Sequence, residues 1–130
     1  MADISIPTQN SWERYIFQHF HSQQAVAPSA TGPVALSSGA GAWTLGGFSA
    51  DIIATNGVTN PFDIHWAVIA DVSQSAWYEI VLYYGNSDTE CARIAFARNN
   101  AFVSSIYVPV QTIIIPANSR ARAKMMDDSG

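Results

Sequence analysis

A two-residue alternation, repeated from run to run between short clusters of turn formers, constrains this chain more than any other feature. In residues 63–72, Ile64, Trp66, Val68, Ala70 and Val72 alternate with Asp63, His65, Ala67, Ile69 and Asp71. Successive side chains of a strand point to opposite faces, so the pattern is that of a β-strand. Asp63, His65 and Asp71 then read as its solvated face. Ala76, Tyr78, Ile80, Leu82 and Tyr84 alternate with Trp77, Glu79, Val81 and Tyr83, giving a strand largely covered on both faces. Gly85-Asn86-Ser87-Asp88 turns the chain into residues 90–98, where Ala92, Ile94 and Phe96 oppose Cys91, Arg93, Ala95 and Ala97. In that hairpin Glu79 and Arg93 are expected to meet across the strands.

Further runs extend the series. Phe48, Ala50, Ile52 and Ala54 alternate with Ser49, Asp51, Ile53 and Thr55 ahead of an Asn56-Gly57 turn. Ile106, Val108 and Val110 form a run that carries Pro109, which restricts it to an edge or a bulge. Ile113 to Ile115 and Arg120 to Met125 flank a Pro116-Ala117-Asn118-Ser119 turn, and Asp127 to Gly130 reads as a turn with no strand after it. Short strands at this spacing predict an all-β protein, a jelly-roll-like β-sandwich of about seven or eight strands. The last strand is expected at a sheet edge, or completed by another chain.

The N-terminal third is built differently. Residues 11–20 gather Trp12, Tyr15, Phe17 and Phe20. Ser11 could cap a short helix with Trp12, Ile16 and Phe20 on one face, or the segment could be an extended arm laid on a neighbour. Residues 25–47 shift to Ala, Ser, Gly and Pro, with Trp43-Thr44-Leu45 as a possible short strand. So long a connector is uncommon inside a compact domain unless it is functional or lies on a partner. The organisation expected is an N-terminal arm and connector over 1–47 and a β-sandwich domain over 48–130.

Charge narrows the function. Only 12% of residues are charged and the net charge is −4, which gives no general attraction to nucleic acid or to an anionic membrane. The longest basic cluster is Arg120-x-Arg122-x-Lys124, too short for a phosphate-tracking groove. The N-terminus lacks a secretory pattern and no apolar run approaches the ~18 residues of a membrane span. Synthesis in a cytoplasm is expected, with neither nucleic acid nor membrane as partner.

No residue set announces chemistry. The lone Cys91 excludes an intrachain disulfide and reads as a buried inert thiol. His19-Phe20-His21 has the spacing of a metal pair on a strand but no third ligand near it in sequence. His65 with its aspartates lacks any nucleophile context. Neither an enzyme nor a cofactor is expected. Trp77, Tyr83, Tyr84 and Tyr107 could form an aromatic platform for a sugar, or belong to core and subunit interface. Arg120, Arg122 and Lys124 point one way from the last strand while Ala121, Ala123 and Met125 point the other. They read as an edge guarded by charge, or as interface anchors for acidic groups of a neighbour. Trp12, Tyr15, Phe17 and Phe20 join them as expected interface residues.

From Trp77 onward the chain runs Trp-Tyr-Glu-Ile-Val-Leu-Tyr-Tyr-Gly, then Arg-Ile-Ala-Phe-Ala-Arg, Val-Pro-Val-Gln-Thr and Ile-Pro-Ala-Asn-Ser-Arg-Ala-Arg-Ala-Lys. In this order of motifs, residues 64–130 resemble small β-sandwich structural proteins of tailed bacteriophages. The resemblance implies a non-enzymatic, oligomeric virion component made in the host cytoplasm. Its partners would be the major capsid protein or other virion subunits, as for a capsid decoration (cement) protein. A receptor- or glycan-binding module of a tail or baseplate is the alternative.

Overall fold

The computed structural model describes residues 33–129. Trp12, Tyr15, Phe17, Phe20 and the His19/His21 pair lie outside the described residues. Among the described residues five strands are formed: β1 (Trp66–Ile69), β2 (Ala76–Tyr84), β3 (Thr89–Arg98), β4 (Ile106–Pro109) and β5 (Ala121–Asp127). They make two antiparallel sheets, one in the order β3-β2-β5 and one pairing β1 with β4. No helix occurs among the described residues. The remaining expected runs are extended without being regular strands. Residues 48–54 contribute one bridge, Ile53 to Ala121, and residues 113–115 contribute another, Ile115 to Phe62.

The β2–β3 hairpin follows the alternation closely. Tyr78 pairs with Phe96 and Ile80 with Ile94, while Leu82 opposes Ala92 on one side and Ala123 on the other. These residues share one face, and Tyr78, Ile80, Leu82, Ile94, Phe96 and Ala123 form the buried core. The Tyr78 and Phe96 rings stack at 5.4 Å, and the Tyr78 hydroxyl donates to the Gln74 carbonyl. Against this face pack Ala67 and Ile69 of β1 and Ile106 and Val108 of β4. The inner faces of both sheets therefore supply one core.

That packing reverses the faces expected for β1. Ala67 and Ile69 point inward, whereas Trp66 and Val68 are about half exposed, at 49% and 55%. Both faces of this run carry apolar residues, so alternation alone does not choose between them, and the smaller pair occupies the space between the sheets. Asp63 and His65 are buried rather than solvated; Asp71 is exposed as expected. Burial of the pair is supported by hydrogen bonding. His65 Nε2 lies 3.1 Å from Asp63 Oδ2, and Gln111 Nε2 donates to the same oxygen at 3.3 Å.

The last strand takes the edge of its sheet, as expected, but that edge is covered. β5 ends the ladder of regular strands, but its outer edge is taken by residues 43–53 of the same chain. The amides of Trp43, Gly46, Ser49 and Ile52 donate to the carbonyls of Asp127, Met125, Ala123 and Ala121 at 2.6–2.9 Å. Ala121 N donates to the Ile53 carbonyl at 2.9 Å, and Ala123 N to Ser49 Oγ at 3.0 Å. A serine hydroxyl thus stands where a strand would offer a carbonyl, one reason why this cover is irregular. With four carbonyls and two amides of its outer row engaged by its own chain, β5 is a covered edge rather than an open one. Within the cover, Trp43 sits in a turn with φ 55° instead of a strand, and Ile53 rather than Ile52 is the buried isoleucine. A side chain on Gly46 would place its Cβ 1.8 Å from the Ser37 carbonyl oxygen, so only glycine allows this close approach.

Candidate interaction surfaces

The outer face of the three-stranded sheet carries a network of charged side chains. On β2 this face presents Trp77, Glu79, Val81 and Tyr83; in register with them stand Ala97, Ala95 and Arg93 of β3 and Met126, Lys124 and Arg122 of β5. Arg93 Nη1 donates to Glu79 Oε1 at 2.8 Å and its Nε to Glu90 Oε1 at 2.7 Å. The expected Glu79–Arg93 pair is therefore formed, on the diagonal, since the direct partner of Arg93 is Val81. Val81 is fully buried even on this outer face. Its neighbours in register are Arg93 and Lys124, residue types whose aliphatic stems cover apolar surface.

Beside this network Arg120, just before β5, and Arg122 and Lys124 of β5 converge on Asp88 and Phe48. Arg122 Nε donates to Asp88 Oδ1 at 2.7 Å, and Arg120 Nη2 donates to the same oxygen at 3.2 Å. The Arg120 Nε also donates to the Gly85 carbonyl at 3.2 Å. The Arg122 guanidinium lies 3.8 Å and Lys124 Nζ 4.2 Å from the centre of the Phe48 ring, which meets Tyr83 edge-on at 5.1 Å. Arg120, Arg122 and Lys124 are thus brought together as their alternation suggests. Their contacts here are with acidic and aromatic groups of their own chain: they tie the β2–β3 turn and the cover segment to β5. Each cation over an aromatic face is worth about 0.5–1 kcal/mol at such exposed sites.

Hydrogen bonds from Arg122 hold the Asp88 carboxyl below its ordinary range, with the charges of Arg122 and Arg120 adding to the effect; Arg93 does the same for Glu90. A carboxylate depressed in the folded state stabilises the fold above its unfolded pKa of ~3.9, and that contribution disappears as pH falls through the folded value. Asp88→Asn should therefore lower the urea midpoint at pH 7 and flatten its fall as the pH drops below about 4. Asn tolerates the left-handed φ of 50° at this position, so the substitution removes charge without adding strain. A variant whose midpoint tracks that of the parent at both pH values would show that the pairs contribute nothing.

The outer face of the β1–β4 sheet is of the opposite character. Trp66 stands across from Pro109 and Val68 across from Tyr107. Tyr107 is 72% exposed. Residues 99–119 contain no Asp, Glu, Lys, Arg or His. Two of these side chains, Trp66 and Val68, belong to the run whose faces are reversed, which hides the patch from a reading by alternation. The aromatic platform, by contrast, is not assembled. Trp77 and Tyr107 project from the outer faces of different sheets, Tyr83 packs on Phe48, and Tyr84 lies on the inner side of β2.

Cys91 is half-buried, its thiol donating to the Leu82 carbonyl at 3.5 Å, and burial pushes its pKa up to about 11. Such a thiol is a poor nucleophile at neutral pH. Among the described residues no group of three or more His, Cys, Asp or Glu is placed to hold a metal ion. Compared with models of protein families, with curated proteins and with solved structures, the chain matches none.

Proposed function

We propose that this chain is a non-enzymatic virion structural protein, a capsid decoration or cement protein that stabilises a capsid lattice through contacts with the major capsid protein and with further copies of itself. The observation that carries the reading is the uncharged apolar outer face of the β1–β4 sheet, on a chain in which only 12% of residues are charged. Soluble monomers rarely leave contiguous apolar patches of more than a few hundred Å² uncovered. The resemblance of residues 64–130 to phage β-sandwich proteins gives the reading its viral setting. Two antiparallel sheets that share one core are compatible with a jelly-roll-like sandwich as the compact body. In this reading the aromatic segment with Trp12, Tyr15, Phe17 and Phe20 reaches over neighbouring subunits.

Removing residues 1–24 is expected to lower the number of copies retained on purified particles several-fold, measured by gel densitometry and by cryo-EM occupancy. Undiminished occupancy would remove the arm from the proposal. A receptor- or glycan-binding module of a tail or baseplate is the second reading, favoured by the exposure of Trp77 and Tyr107. Their placement on different sheets gives a sugar no common platform, and a glycan array separates the two readings.

A further inference from the structure

We infer that the outer face of the β1–β4 sheet is a two-fold self-association surface, and that its occupant is the same face of a second copy of this chain. The inference builds on the assembly reading above by naming the surface through which copies meet.

Four side chains form the centre of this face as a rectangle. Trp66 and Val68 lie along one strand, Pro109 and Tyr107 along the other, with Trp66 opposite Pro109 and Val68 opposite Tyr107. The two large aromatics therefore occupy diagonal corners, and the two smaller residues occupy the other diagonal. Stacking two such rectangles about a two-fold axis parallel to the strands seats Trp66 over the second copy's Pro109 and Tyr107 over the second copy's Val68. Large meets small at every corner, which is how the facing layers of packed sheets interdigitate at a spacing of ~10 Å. An isologous interface requires this self-complementarity, and the register supplies it.

Area and charge favour the same occupant. At the exposures of Trp66, Val68 and Tyr107, together with Pro109, the apolar surface is on the order of 400 Å², about half of the ~800 Å² that each partner of a standard interface buries, which suits a weak dimer. The face has no charged group to pair with a charged partner, so such a partner would lose hydration without compensation. A second copy brings an equally neutral surface. The ion pairs lie on the outer face of the other sheet, where Arg93 engages Glu79 and Glu90, and Arg120 and Arg122 engage Asp88.

The test is sedimentation of the full chain over a concentration series, without particles. A dimer dissociating in the micromolar range is expected. Val68→Arg, at a position already 55% exposed, should raise the dissociation constant at least 100-fold with an unchanged melting profile. Trp77→Ser, on the other sheet, should leave dissociation unaffected. A parent chain that stays monomeric at 100-fold above that range overturns the inference, as does a dimer that survives Val68→Arg. Binding of a glycan by the monomer, read as quenching lost in Trp66→Ser, would assign the face to a sugar instead and overturn it too. A monomeric chain that still decorates particles would sink this face and leave the assembly reading standing. A dimer that decorates none would do the reverse.

Discussion

Phe96→Ala should lower the free energy of unfolding by about 3–5 kcal/mol, the largest effect expected of any single truncation here. Phe96 is 8% exposed, stacks on Tyr78 at 5.4 Å and belongs to the core that the two sheets share. Truncation removes the transfer free energy of the ring and leaves a cavity between sheets that can close only if strands move. For a domain of this size the melting temperature should fall by on the order of 15 °C. Phe102 provides the internal control. It lies six positions along the chain but is 65% exposed, so Phe102→Ala should stay within about 0.5 kcal/mol of the parent. The measurement is paired urea and thermal unfolding of both variants. Equal losses would mean that the core is not where the two sheets place it.

The contrast between these two phenylalanines also marks what the sequence makes legible. In the β2–β3 hairpin Tyr78, Ile80, Leu82, Ile94 and Phe96 keep to one face, so strand limits and turn can be read from local pattern, whereas the burial of Val81 on the outer face and of Arg98 on the inner one cannot. β1 resists because Trp66 and Val68 alternate with Ala67 and Ile69, and either pair could be buried; only the second sheet decides. The cover on β5 is harder still. Its bonds join residues as far apart as Trp43 and Asp127, and no local period records such a pairing. The Gly-rich stretch reads as a connector because glycine breaks periodic patterns, whereas Gly46 is needed for close backbone approach. The charged cluster is legible by half. The alternation of Arg120, Arg122 and Lys124 is plain in the sequence, but Asp88, 34 positions before Arg122, cannot be matched to them without the fold. The neutrality of residues 99–119 is equally plain, yet it takes the reversed faces of β1 to place that stretch on an apolar surface.

Arg98→Ala should cost about 2–4 kcal/mol and should loosen one region before the rest. Arg98 ends β3, is only 6% exposed, and its Nη2 donates to three backbone carbonyls: Ala70 at 3.0 Å, Phe102 at 3.1 Å, and Ser104. Ala70 follows the last residue of β1, and Ser104 precedes β4. One guanidinium therefore ties the end of the three-stranded sheet to the β1 exit and the β4 approach, where the chain passes from one sheet to the other. Hydrogen bonds to a charged donor are worth about 1.5–3 kcal/mol each, but burying the cation costs several kcal/mol, so the net effect is smaller than the sum. Arg98→Met separates these contributions by keeping bulk and removing both charge and donors. If the tether is what matters, Met should fail nearly as badly as Ala, and Lys should recover part of the loss, because all three bonds leave the one nitrogen Nη2 and an ammonium carries three donors on one nitrogen. The readout is hydrogen exchange across residues 99–105 alongside the urea midpoint. Faster exchange there, with protection of β2 retained, is the expected signature of an untied crossover. A methionine variant as stable as the parent would mean that the cation is tolerated at this position rather than needed.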